Sequence, residues 1–163
     1  MDNSIRLQNF TGTVRIQNGK LIAEIDENKS APYGTYIVLK DGSHISKDEY
    51  DKDKHEARGI LIYTEKLCHE LSLFDHPEYM NWNEAVKHSI PSKEQWDEIS
   101  NYIEDIEEML KLTGGDTLKD KWYWSSTEIS SAYSWSYNGF NGISYNFSKF
   151  TYSRVRPFIA FKL

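Results

Sequence analysis

The stretch WYWSSTEISSAYSWSYNGFNGISYNFSKFTYSRVRPFIAFKL, Trp122 to Leu163, has no helical period. It is rich in aromatic and β-compatible residues and is punctuated by Asn138-Gly139 and Asn141-Gly142, which mark turns between strands. It predicts strands and loops that end in a buried strand around Val155 to Phe161. Within it, Ile129 to Ser153 holds seven Ser, three Asn, two Gly and eight aromatics in 25 residues, and Lys149 is its only charge. Aromatic rings give large contact area at low rotamer cost, while Ser, Asn and Gly give adaptable hydrogen bonds, which is the mixture antibody paratopes use. The competing reading is a β-rich core segment with every ring turned inward. That reading holds in part, because Trp124 and Trp135 are too large to leave wholly in water. With so few Val, Leu and Ile, however, the segment is poorly composed for a core alone, and a ligand-gripping surface is the better expectation.

Upstream, Ser92 and Gln95 have the spacing of a capping box, and Trp96, Ile99, Ile103, Ile106 and Leu110 step by three and four along one stripe. One helix is therefore expected from Ser92 to Leu112, stopped by Gly114-Gly115. It carries seven acidic and two basic side chains on its other faces, a solvated surface. Asn81 and Glu84 predict the cap of a short helix through Trp82, Ala85 and Val86. Gly59 to Thr64 and Glu70 to Phe74 read as strands, and Lys47 to Glu56, crowded with charge, as a solvated loop. Near the start, Val14 and Ile16 alternate with polar residues, Asn18-Gly19 is a two-residue hairpin signal, and Leu21, Ala23 and Ile25 resume the alternation. A third strand is expected from Thr35 to Leu39. The pattern as a whole is α+β.

Several of these strings resemble the DUF1566 and Fibrobacter major paralogous families, which have the C-type lectin fold. YWSSTE at Tyr123 to Glu128, followed by Trp135, Gly142, Lys149 and VRPFIAF at Val155 to Phe161, is similar to their C-terminal signature. IPSKEQW at Ile90 to Trp96 is similar to their Leu-Pro-Thr-x-x-Glu-Trp helix entry, and Gly114-Gly115-Asp116 to their helix exit. Asp41-Gly42-Ser43 through Gly59 to Ile62 is similar to the lead-in of bacterial and phage members. The usual Gly-Trp-Arg before the helix entry is replaced by His88-Ser89, and the loop between Phe74 and Asn81 is short. The resemblance implies a C-type lectin-like ligand-binding domain over 41–163, preceded by a strand-rich segment over 1–40 that tethers or oligomerises it. Many gut bacterial and phage members of the family are variable proteins of diversity-generating retroelements, whose C-terminal segment is rewritten at adenine-containing codons. The Asn, Tyr and Ser load of Ile129 to Ser153 is what such codons produce. The resemblance thus implies a chain made in a cytoplasm that works on a virion, as part of a phage tail, or on a bacterial cell surface.

Composition and missing motifs bound the alternatives. Nineteen Lys and Arg against 25 Asp and Glu give a net charge of −6 and argue against a nucleic-acid partner. The chain has no apolar stretch long enough to span a bilayer, which argues against membrane insertion. Its single cysteine, Cys68, forms no internal disulfide. The Glu-Pro-Asn, Gln-Pro-Asp and Trp-Asn-Asp motifs of calcium-dependent sugar-binding lectins are missing, so no metal or other cofactor is expected. His69, His76, Glu70 and Asp75 match no ligand spacing of a known metal site and read as solvated or strand-edge residues. No nucleophile elbow, phosphate loop or Cys-x-x-Cys is present, so no catalytic residue is assigned. Glu128, an isolated acid among aromatics, is expected to be structural and to accept hydrogen bonds from loop amides.

The expected function is a non-catalytic adhesin that grips a protein or glycan receptor on a cell surface. The competing classes are an enzyme or enzyme-associated domain like the formylglycine-generating oxidases, and a purely structural virion subunit. Trp135 is assigned to the core by the resemblance. Ser134, Ser136 and Asn138 then point outward, Phe140 and Asn141 occupy an exposed tip, and Tyr145, Phe147, Phe150 and Tyr152 complete the ligand-binding set with Tyr133 in the preceding loop.

Overall fold

The computed structural model describes residues 12–17, 20–25 and 32–163 and is mixed helix and sheet. The chain divides into two compact units, residues 1–32 with Leu163, and residues 33–162. In the first, β1 (Gly12–Gln17) and β2 (Lys20–Ile25) pair antiparallel with Gln17 opposite Lys20, as the alternation predicts. The expected Asn18-Gly19 turn lies outside the described residues.

The second unit begins at Tyr33, eight residues before the expected boundary at Asp41. The reason is β3 (Gly34–Leu39), whose Ile37, Val38 and Leu39 are buried. It pairs antiparallel with both β4 (His44–Ile45) and β5 (Ala57–Tyr63). β5 in turn pairs with β6 (Cys68–Ser72), and β6 with β10 (Phe158–Ala160) near the end of the chain. This five-stranded antiparallel sheet runs in the order β10-β6-β5-β3-β4. Ile60, Leu61 and Ile62 in its middle are fully buried, which explains why β5 reads as an unbroken apolar run. The charged segment after β4 contains a short 3-10 helix, Lys47–Glu49, and is not wholly loose: Lys47 reaches Asp105 at 3.0 Å and Glu108 at 2.5 Å.

Three helices follow. α1 (Trp82–Ala85) has the expected box, Asn81 accepting from the Glu84 N–H at 3.1 Å while Glu84 accepts from the Asn81 N–H at 3.3 Å. α2 (Lys93–Ser100) starts with the Ser92 and Gln95 box. It is shorter than predicted, because the expected single helix is two. The Asn101 and Tyr102 N–H groups bond three residues back, to Glu98 and Ile99, and this tightened turn ends α2 before α3 (Ile103–Thr113) begins. The apolar stripe survives the break: Trp96, Ile99, Ile106 and Leu110 are all buried. Gly114 closes α3 at φ 76°, a left-handed conformation that favours glycine.

The three-stranded antiparallel sheet precedes β10, with β7 (Trp122–Glu128), β8 (Tyr133–Asn138) and β9 (Ile143–Ser148) in that order. Between Trp124 and Glu128 the pairing of β7 with β8 shifts register. The principal core joins both sheets to α2 and α3 through Ile60, Leu71, Trp96, Ile106, Tyr123 and Tyr137. A second cluster holds Met80, Trp82, Ala85, Ile90, Trp124 and Val155. No helix among the described residues is long and apolar enough to cross a membrane.

Candidate functional site

Register decides which side chains the three-stranded sheet offers. Trp122, Asn138 and Ile143 lie opposite one another, as do Trp124, Ser136 and Tyr145, and Ser134 and Phe147. Cross-strand partners share a face, so these eight lie on one side. Tyr123, Tyr137 and Ser144 lie on the other, with Trp135 opposite Asn146 and Tyr133 opposite Ser148. That second side meets α2, where Trp96 stacks flat on Tyr137 with ring centroids 4.4 Å apart.

Two expectations are corrected here. Trp135 is only half-buried and belongs to neither core cluster; it sits at the margin of the helix-facing side with the Lys93 ammonium 5.4 Å from its ring centre. Ser134 and Ser136, expected to face a ligand, are fully buried. Their hydroxyls donate to the Thr127 and Tyr123 carbonyls at 2.7 and 2.9 Å. Alternation separates the two faces correctly, but the face carrying these serines also carries Trp124 and the second cluster. It is dry there.

Farther along, the surface opens. Phe140 is 75% exposed at the β8–β9 tip beside the exposed Asn141. The Asn138 side chain accepts the Phe140 N–H at 2.8 Å, and Asn141 accepts the Ile143 N–H at 3.1 Å while donating to the Tyr145 hydroxyl at 2.8 Å. Asn138 and Asn141 therefore shape the tip. Gly139 is required at this hairpin, since a Cβ there would meet the Leu118 carbonyl oxygen at 1.9 Å. Tyr145 is exposed and meets Trp122 edge-on at 5.5 Å, while Phe147 is half-buried between Trp122 and Trp124. Phe150 and Tyr152 are 80% and 62% exposed, and Tyr133 is exposed on the helix-facing side. Of the ten expected residues, Phe147 and Tyr152 meet in a cleft of about 200 Å³ that is also lined by Tyr79, Asp120, Lys121, Trp122, Ser153 and Arg154.

Trp122, Tyr79 and Arg154 escaped the sequence reading. Trp122 was within reach, since it stands two residues before Trp124 and so on the same face. Tyr79 gave no local signal: it is placed by the antiparallel bridge of Met80 with Ser153, and the Arg154 guanidinium lies 4.5 Å over its ring.

Beneath the cleft, Asp75 is a buried carboxylate among cations. Lys121 lies at 3.0 Å, Arg156 at 3.0 Å and Arg154 at 3.7 Å, and the Tyr123 hydroxyl donates to it at 3.3 Å. Burial pushes the Tyr123 phenol far above its ordinary pKa, so it stays a donor. The other acids and histidines scatter. Glu70 forms a two-bond pair with Arg58 at 3.1 and 2.9 Å, His76 faces His88, and His69 stacks on Phe158 at 4.7 Å. No group of three or more His, Cys, Asp or Glu that could hold a metal lies among the described residues. Glu128 accepts from the Lys149 ammonium rather than from loop amides, and that ammonium lies 4.2 Å over the Trp82 ring. The pairing leaves the buried Lys149 charge compensated. What the surface offers is aromatic faces edged with hydrogen-bonding groups. Compared with the models of known protein families and with curated proteins, the chain matches none.

Proposed function

We propose that the chain is a non-catalytic ligand- or receptor-binding adhesin of a phage tail or bacterial surface, built on a C-type lectin-like domain. One observation carries this reading. Tyr133, Phe140, Phe150 and Tyr152 are all exposed within one short stretch whose other residues are polar and nearly uncharged. Exposed rings at this density are a feature of recognition surfaces. The order of elements supports the fold assignment: strands, then paired helices, then a three-stranded sheet, with the last strand returning to the first large sheet. The resemblance at Tyr123 to Glu128 and Val155 to Phe161 supports the same assignment. Residues 1–32 would supply a tether or a self-association element.

The test replaces Tyr133, Phe140, Phe150 and Tyr152 singly by Ala. Each exposed substitution is expected to change stability by less than about 0.5 kcal/mol. Attachment to a panel of bacterial cells should weaken severalfold or more for at least two of them, because aromatic anchors carry about 2 kcal/mol or more of binding when they are hot spots. Thermal melts and cell-binding assays on the same preparations check this, with Trp124→Ala as the folding control. Undiminished attachment by all four variants would return the chain to the structural-subunit class. In the genome, a near-copy of the DNA for Ile129 to Arg156 differing at adenines, beside a reverse transcriptase, would establish diversification.

A further inference from the structure

The cleft of Tyr79, Trp122, Phe147 and Tyr152 has two polar groups whose bonding capacity is unspent. Asp120 is exposed at φ 64° and its carboxylate has no hydrogen bond or ion pair among the described residues. The Arg154 guanidinium also makes no hydrogen bond there. It has only its ring contact with Tyr79 and the Asp75 carboxylate at 3.7 Å, and its buried Nε is unpartnered. An acceptor and a multiple donor thus line the same aromatic cleft.

The charge balance narrows what fits. Lys121, Arg154 and Arg156 surround Asp75, and Asp116 lies behind it, accepting the Asp75 N–H at 3.0 Å, while Asp120 stands apart on the cleft wall. Of the charged groups lining the cleft, Lys121 is paired with Asp75 at 3.0 Å, which leaves Asp120 and Arg154 as one anion and one cation, so the site does not select an ion of either sign. An anionic ligand reaching Arg154 would meet Asp120, and a cation reaching Asp120 would meet Arg154. A hydroxyl group both donates and accepts, and so uses both groups at once. The C–H face of a saturated ring carries the slight positive charge that complements an aromatic face. Pockets that engulf a drug-sized molecule measure about 300 to 1,000 Å³. At about 200 Å³ this cleft takes one ring.

We propose that the cleft binds a single ring of a neutral saccharide, with Trp122 and Tyr152 as aromatic platforms, Asp120 as acceptor and Arg154 as donor. This rests on the adhesin reading and names the chemistry of its ligand.

The test exposes the full chain, in buffer with EDTA, to an immobilised panel of neutral hexoses, N-acetylhexosamines and their short oligomers. Retention on at least one, competed by the same free sugar, is expected. Asp120→Gly removes the carboxylate at a φ that glycine adopts freely, and Tyr152→Ala removes an exposed ring. Each should lower retention tenfold or more with an unchanged melting temperature, and Lys52→Ala should not. Retention that survives both substitutions would place the sugar elsewhere and overturn the proposal. In a second arm, the cells to which the chain attaches are treated with periodate, which cleaves vicinal diols, or with protease. Attachment lost to periodate supports a saccharide. Attachment that resists periodate and is lost to protease identifies a protein receptor, which overturns the saccharide and leaves the adhesin reading standing. A chain that attaches to no cell and is retained by no sugar overturns both.

Discussion

The five tryptophans part company according to what the indole nitrogen finds. Trp82, Trp96 and Trp124 are buried and donate to the main-chain carbonyls of Ser125, Trp124 and Met80 at 2.9, 3.2 and 2.8 Å. Trp122 and Trp135 are half-buried, and their indole N–H groups make no hydrogen bond among the described residues. Trp124→Ala should therefore cost about 3–5 kcal/mol, the usual range for a buried aromatic. Trp135→Ala should cost about 1–2 kcal/mol, from partial burial and one ammonium contact. Urea denaturation of the two variants checks the ordering, and equal losses would mean that Trp135 is a core residue after all. At this scale the sequence was informative about residue type and mute about wetness. The Ser and aromatic load of Ile129 to Ser153 marked the segment, yet Ser134 and Ser136 lie dry and Tyr152 lies open. Which of these occurs depends on Trp124, Val155 and Met80, contributed from elsewhere along the chain.

Among the elements, signals confined to a few residues were legible and those closed over distance were not. The capping boxes of α1 and α2 could be read because each pair of partners lies three residues apart just ahead of an apolar stripe, which the Ser46 and Glu49 box of the 3-10 turn lacks. The division between α2 and α3 could not, since the apolar steps run through it unchanged. Glu107 is the clearest case of the second kind. It looks like one more acid on a solvated face, but it is buried and accepts from the Leu118 N–H at 2.6 Å, the Lys119 N–H at 3.3 Å and the Thr117 hydroxyl. The partners come from the loop leading into β7, ten to twelve residues on. Glu107→Ala should thus cost about 2–3 kcal/mol, because it strands buried donors that had a charged acceptor. Glu108→Ala, which loses only a surface pair with Lys47, should cost less than about 1 kcal/mol. Thermal melts of the two variants separate them, and a Glu107 variant as stable as the Glu108 variant would show that the loop finds other acceptors.

At the scale of the whole molecule, titration follows from what burial does to two histidines. Burial holds the pKa of His44 and His69 below the usual histidine value. Below about pH 6.5 the unfolded chain then binds more protons than the native one, so stability is complete above that value and falls as pH drops. A falling melting temperature between about pH 7.5 and 5.5 is expected, above the range where ordinary carboxylates titrate. His69→Phe, which keeps the stack on Phe158, should flatten part of the slope, and an identical slope in this variant would remove His69 from the account. The α+β class was readable because periods of two and of three to four residues were each present in long runs. The boundary at Tyr33 was not, because a strand before Asp41 declares itself part of the larger unit only through its pairing with β5. One further consequence lies in the bonds of the buried indoles and serine hydroxyls, all made to main-chain carbonyls. An acceptor on the main chain is the same whatever residue carries it. The trace of the three-stranded sheet is therefore anchored independently of the side chains at 133, 140, 150 and 152. Those positions form a display scaffold, on which a randomised library would explore new specificities while each member keeps one backbone.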